Sequence, residues 1–134
     1  MSEKSEWEAI PIGLEIGPAE LVLDKDLVNE RAELVQWKAR ELIDELGIVP
    51  PGMTIVQHPR MRFVQFSSLR AAIWAKSEHE FLKPKKIGSK VIIKGKIVDK
   101  YVKRGKNYIV TDFETIDEDG DVVLRSRETA IHLD

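Results

Sequence analysis

The sequence predicts an α+β fold in which a long, curved antiparallel β-sheet wraps around a helix. Three observations lead there. After a Pro-and-Gly step at Pro84 and Gly88 the chain gives three Val/Ile-rich runs, residues 91–102, 107–117 and 121–133. Each is roughly twice the common strand length of about 5–6 residues, and antiparallel strands of that length twist and coil. The two short polar links between them carry Gly105 and Gly120 where hairpin turns want a positive φ. Upstream lies a periodic helical stretch that needs a surface to pack on.

Taken in order, residues 1–20 start acidic and are punctuated by Pro11, Gly13, Gly17 and Pro18, which reads as an extended lead-in. Leu21, Val22 and Leu23 add a short edge strand. Residues 24–46 read as one helix, with Asp24 as N-cap and Gly47 just past its end. Val28, Ala32, Val35, Ala39, Leu42 and Leu46 recur at spacings of four and three, and Leu27, Leu34 and Ile43 broaden that stripe. Trp37 lies off it, in position to touch a partner. Pro50 and Pro51 stop the helix, and Gly52 lets another backbone or a ligand come close. Residues 54–66 start a second helix that Pro59 is expected to break or kink. His58, Arg60 and Arg62 cluster donors there.

Residues 71–82 read as the first long strand. Alternation puts Ile73, Ala75, Ser77, His79 and Phe81 on its inner face and Trp74, Lys76, Glu78 and Glu80 outside. In the last hairpin, opposite charges favour a register that pairs Asp112 with Arg127 and Glu114 with Arg125. The same register places Phe113, Thr115 and Ile109 against Ser126, Leu124 and Ala130 on the other face. Gly95, inside a Val/Ile run, marks a bend or a close approach.

The 134 residues fit a single domain, 1–134. A net charge of -2 gives no overall pull toward nucleic acid or an anionic membrane. The lysines between 83 and 106 make a local basic region suited to a solvated face. No cysteine is present, which excludes disulfides and thiol chemistry. No run is long enough to span a bilayer, and the N-terminus lacks the apolar core of a signal peptide, so a cytoplasmic location is expected. Three scattered histidines without an i, i+4 pair give no zinc spacing, and no Gly-rich phosphate loop precedes a helix, so neither metal nor cofactor is expected.

The succession Pro-Pro-Gly-Met (50–53), Ala-Lys-Ser-Glu-His-Glu-Phe (75–81), Lys-Pro-Lys-Lys-Ile-Gly (83–88) and the Arg-Gly hairpin resembles the MaoC-like dehydratases, most of all their FAS1-like, N-terminal-half type. The resemblance covers roughly residues 20–133. It implies a hot-dog fold, pairing of two hot dogs, and reversible hydration of enoyl thioesters of coenzyme A or acyl carrier protein. That chemistry needs a base, an acid and a donor for the enolate-like oxygen. Active members of the family carry Asp and His in a Gly-Asp-x-Asn-Pro-x-His type of loop after the first helix. Here neither Asn29 nor Asn107 precedes a proline, and the single Gly-Asp, Gly120-Asp121, lies in the terminal hairpin.

The resemblance therefore implies a non-catalytic hot-dog subunit beside a catalytic MaoC-like partner. Pro51, Gly52 and Met53, with His58 and Trp74 nearby, would line the acyl tunnel. A second reading is a stand-alone thioesterase or hydratase using His58 or His79, with Glu78 and Glu80 as the other acid–base material. A third is a non-enzymatic homodimer that binds acyl-CoA. The family places its central helix after Pro-Gly-Met, whereas periodicity favours residues 24–46.

Overall fold

In the computed structural model, which describes residues 6–38, 41–55, 57–65 and 72–133 (backbone only at Pro51 and 62–65), five strands form one antiparallel sheet. They are β1 (Glu15–Val22), β2 (Ala72–Phe81), β3 (Lys90–Lys103), β4 (Lys106–Asp117) and β5 (Val122–His132), in the spatial order β1-β3-β4-β5-β2. The meander follows the expected path. Arg104 and Gly105, both at positive φ (51° and 74°), make the two-residue turn between β3 and β4, as a hairpin with right-handed twist requires. Gly120 at φ 83° serves the next turn.

The sequence-derived register holds. Asp112 faces Arg127 and Glu114 faces Arg125, while Phe113 faces Ser126 and Thr115 faces Leu124. The outer face carries alternating charge across all five strands in one row: Glu15, Lys96, Asp112, Arg127, Glu78. Arg127 grips Asp112 with two hydrogen bonds of 2.7 and 2.9 Å. On the inner face Phe113 lies over Gly95, where an added Cβ would meet the ring at 2.7 Å. The glycine is there for the close approach.

The lead-in is not all loop. It forms a short helix, α1 (Glu6–Ala9), and β1 begins at Glu15, well before Leu21. Trp7 ties α1 to the sheet end by donating its indole N–H to the Tyr108 carbonyl at 3.1 Å.

Residues 24–46 are not one helix. They give α2 (Lys25–Leu34) and α3 (Glu41–Leu46), with a turn after α2 in which Gln36 takes φ 53°. Asp24 does cap α2, accepting from the Leu27 N–H at 2.8 Å. Gly47 does end α3 at φ 63°. The break follows from burial: Val28, Ala32 and Ile43 are buried, but Leu34, Val35, Leu42 and Leu46 stay largely exposed. Four residues of the apolar stripe are thus left exposed among the described residues.

The helix held against the sheet is α4 (Gln57–Gln65), after the Pro-Pro-Gly-Met segment. Pro59 does not break it. It is the third residue of the helix, where the N–H has no intrahelical partner in any case. Met61 of α4 packs on a core of Ile10, Ile16, Ile97, Ile109 and Phe113. A second core, Leu23, Val28, Ala32, Ile43, Val49 and Val91, seats α2 and α3.

Candidate functional site

Two of the three histidines meet across the inner face of the sheet. His58, the second residue of α4, is fully buried and stacks on Phe113 with ring centroids 5.1 Å apart. Its Nε2 lies 2.7 Å from Thr115 Oγ1 and its Nδ1 lies 3.0 Å from Ser126 Oγ. His79 sits on the edge strand β2 in register with Ser126. Its Nδ1 is 2.8 Å from the same Ser126 Oγ, and its Nε2 is 2.9 Å from Ser77 Oγ. Both ring nitrogens of both histidines are thus engaged by hydroxyls of the chain itself. Burial pushes His58 down to about 4, with the neighbouring His79 adding to the effect, and burial also lowers His79. His58 is neutral at pH 7.

Trp74 lies on the other face from the one alternation gives. A β-bulge between Trp74 and Lys76 shifts the register, so that Trp74 pairs with Ala130 and stands on the inner side, and Ile73 stands outside. An extra residue reverses every side chain before it. Trp74 then meets His79 edge-on, with centroids 6.3 Å apart. Ile73, Trp74 and Phe81 remain about half exposed along β2, which borders the sheet.

Pro51, Gly52 and Met53 form a single 3-10 turn just ahead of α4. Two apolar cavities flank this segment. One, of 120 Å³, has Met53, Gln57 and Arg60 on its wall with Leu27 and Arg31 of α2. The other, of 230 Å³, runs from Pro50 and Thr54 to Phe81, Leu82 and Leu124. Leu23 and Val49 border both. Met53 is therefore close to His58 in sequence and shares its helix end, whereas Trp74 sits with His79 at the sheet border.

The partners of His58 were the part not named from sequence. Ser126 and Thr115 fall on the inner face in the register read from the charges, and polar residues at inner positions were the available signal. A third polar cluster lies at the β4–β5 turn. The Asp117 carboxylate accepts the backbone N–H groups of Asp119 and Asp121 at 3.0 Å each. Lys83 Nζ stands among Asp117, Asp119 and Asp121 at 2.6, 3.6 and 3.0 Å, so an ammonium already fills the centre of these carboxylates. The hydrogen bond from Lys83 holds the Asp117 carboxyl well below the usual carboxylate range, helped by the Asp121 N–H and Lys85.

No protein-family model and no curated protein matches this sequence. Solved structures do match over almost the whole chain. The fold is similar to that of the C-terminally truncated HadBC (3R-hydroxyacyl-ACP dehydratase) complex from Mycobacterium tuberculosis, with TM-score 0.74, 18% identity, and coverage of 90% of this chain and 96% of that one. It is similar to a MaoC-like dehydratase from Rhodospirillum rubrum (TM-score 0.73, 14% identity, 94% of each chain). It is also similar to the (R)-hydratase from A. caviae involved in PHA biosynthesis (TM-score 0.74, 12% identity, 92% and 97%). The chain has the hot-dog fold, in the form found in MaoC-like dehydratases and (R)-hydratases. Among the described residues no helix is long and apolar enough to cross a membrane.

Proposed function

We propose that this chain is a MaoC-like hot-dog subunit without acid–base machinery of its own. It would pair with a catalytic hot-dog chain to form an enoyl-thioester hydratase or 3-hydroxyacyl-thioester dehydratase. The observation that carries this reading is the occupancy of the histidines. Hydration needs a base and an acid free to exchange protons with substrate. In this chain His58 is sealed in the core and His79 has both nitrogens bonded to serines. No histidine precedes the Pro-Pro-Gly-Met segment, where the family carries its Asp and His. The same occupancy disfavours a thioesterase built on His58 or His79.

The chain's part would be to shape the acyl site. Met53, which follows Pro51 and Gly52 in the 3-10 turn ahead of α4, lines one of the two apolar cavities, Pro50 lines the other, and Leu23 and Val49 border both. The half-exposed Ile73, Trp74 and Phe81 on the β2 border give a partner hot dog its place to add. That a chain of the same fold comes from a dehydratase complex supports this pairing.

The test is crotonyl-CoA hydration by the purified chain alone and after co-expression with a MaoC-like chain that carries the Asp and His. The expected result is no turnover alone and turnover in the pair. Robust turnover by the chain alone overturns the proposal. The two apolar cavities also favour a second reading, a homodimer that binds acyl-CoA without turnover. Self-association by light scattering, with an acyl-CoA-dependent rise in Tm and no gain from the catalytic chain, would select it.

A further inference from the structure

The two histidines are linked by more than proximity. Ser77 Oγ, the His79 ring, Ser126 Oγ, the His58 ring and Thr115 Oγ1 form one chain of hydrogen bonds, with steps of 2.9, 2.8, 3.0 and 2.7 Å. It runs from the border strand β2 through β5 to α4 and ends in the core on β4. Ser126 is the hinge of the chain because its oxygen meets Nδ1 of both rings. A serine hydroxyl has one proton, and a neutral imidazole has one N–H and one lone pair. The direction of each bond therefore constrains the next.

With both rings neutral, one direction satisfies every group. Thr115 donates to His58 Nε2, His58 Nδ1–H donates to Ser126, Ser126 donates to His79 Nδ1, and His79 Nε2–H donates to Ser77. The opposite direction leaves the fully buried Thr115 proton without that acceptor, which is unfavourable. A protonated His79 donates from both nitrogens. Ser126 then accepts from His79 and turns its own proton to His58 Nδ1, so every X–H bond points away from the cation.

We propose that Ser126 couples the two histidines, so that proton uptake at His79 reverses the chain and moves the single N–H of His58 from Nδ1 to Nε2. One proton is taken from solvent and ends on His79. In a transient local opening, His58 takes a second solvent proton at Nε2 and returns its Nδ1 proton to solvent, so it ends neutral, while Ser126 and Thr115 keep their own protons and rotate them. Ser126 is a positioning residue in this device. The input lies at the sheet border and the output at Thr115, whose cross-strand neighbour Leu124 lines the 230 Å³ cavity.

The charges nearest His79 in the sheet stand on the outer face, across the sheet from its ring: Glu78 and Glu80 flank it on β2, Asp112 comes from β4, and Arg125 and Arg127 from β5. Glu128 of β5 is in register with Ser77, and His58 comes from α4. Arg127 and Asp112 neutralise each other, and Arg125 lies 3.6 and 3.7 Å from Glu114 and Glu80. None of these pairs lies within the hydroxyl–imidazole chain.

Long-range ¹H–¹⁵N spectra of the full chain between pH 8 and 5 read each ring directly. The expected result is a His58 ring with its N–H on Nδ1 at high pH and on Nε2 at low pH, changing at the midpoint of His79. In Ser126→Ala, His58 should no longer follow His79. In His79→Phe the change in His58 should vanish, which provides a second check if the serine variant does not fold. A His58 tautomer that stays constant while His79 titrates overturns the proposal. So does a His58 change that persists in either variant.

Discussion

On the outer face of β4 and β5, Asp112 and Arg127 hold each other in water. On the inner face of the same strands, three residues along β4 and one along β5, Thr115 and Ser126 hold His58 out of water. Both sets are polar and both are paired, yet they do different work. The outer pairs replace good hydration with a modest gain, so each contributes little. The inner hydroxyls have no water to return to, so Thr115 depends on His58 and Ser126 on His58 and His79. The face a polar residue occupies, more than its type, decides its importance.

The sharpest way to break this contrast is His58→Ala. It removes a buried ring stacked on Phe113 and leaves two hydroxyls without it, so urea unfolding should show a loss of about 3–4 kcal/mol. A loss below about 1 kcal/mol would mean that the inner face tolerates substitution as the outer face does. A pH series should give the next largest effect. The folded chain holds His58 at about 4 against 6.5 for a free histidine, so the unfolded state binds more protons between those values. The stability from this group is fully present above about pH 6.5 and falls as pH drops toward 4, by about 3 kcal/mol. His58→Leu should lack most of that dependence.

Gly95→Ala puts a methyl where the Phe113 ring already lies, 2.7 Å away. It should lose about 1–3 kcal/mol by overpacking, read from the same unfolding curves. The outer face supplies the smallest effect. Arg127→Ala should change stability by no more than about 0.5 kcal/mol, and less in high salt. A loss comparable to that of Gly95→Ala would show that the outer row acts as a cooperative network.

The sheet was legible because its signals are local and redundant. Gly105, Gly120 and the Asp112–Arg127 and Glu114–Arg125 pairs each point to the same register. The helices were less legible. The periodicity of residues 24–46 continues through Leu34, Val35 and Leu42, but among the described residues these side chains stay exposed, and Gln36 turns the chain at positive φ. In α4 the signal from Pro59 misled because a proline in a first turn leaves the helix intact. Trp74 was placed on the wrong face because a bulge inserts one residue without any glycine or proline to announce it. The candidate site was half visible. His79 and its inner face follow from alternation, but nothing in a linear pattern says that His58, nearly seventy positions from Ser126, would arrive at the same hydroxyl.

The outer row of charges has a consequence for how molecules of this protein meet. Signs that alternate across five strands end as they begin, so both borders of the sheet present an acid, Glu15 on β1 and Glu78 on β2. Joining the β1 border of one molecule to the β2 border of the next, in line with this row, would bring like charges together. An endless ribbon is thereby discouraged. The β2 border also carries Lys76 two residues from Glu78, so an antiparallel partner centred on Ser77 can set lysine against glutamate on both sides. The parity of the strand count thus works against an open polymer of edge-joined sheets.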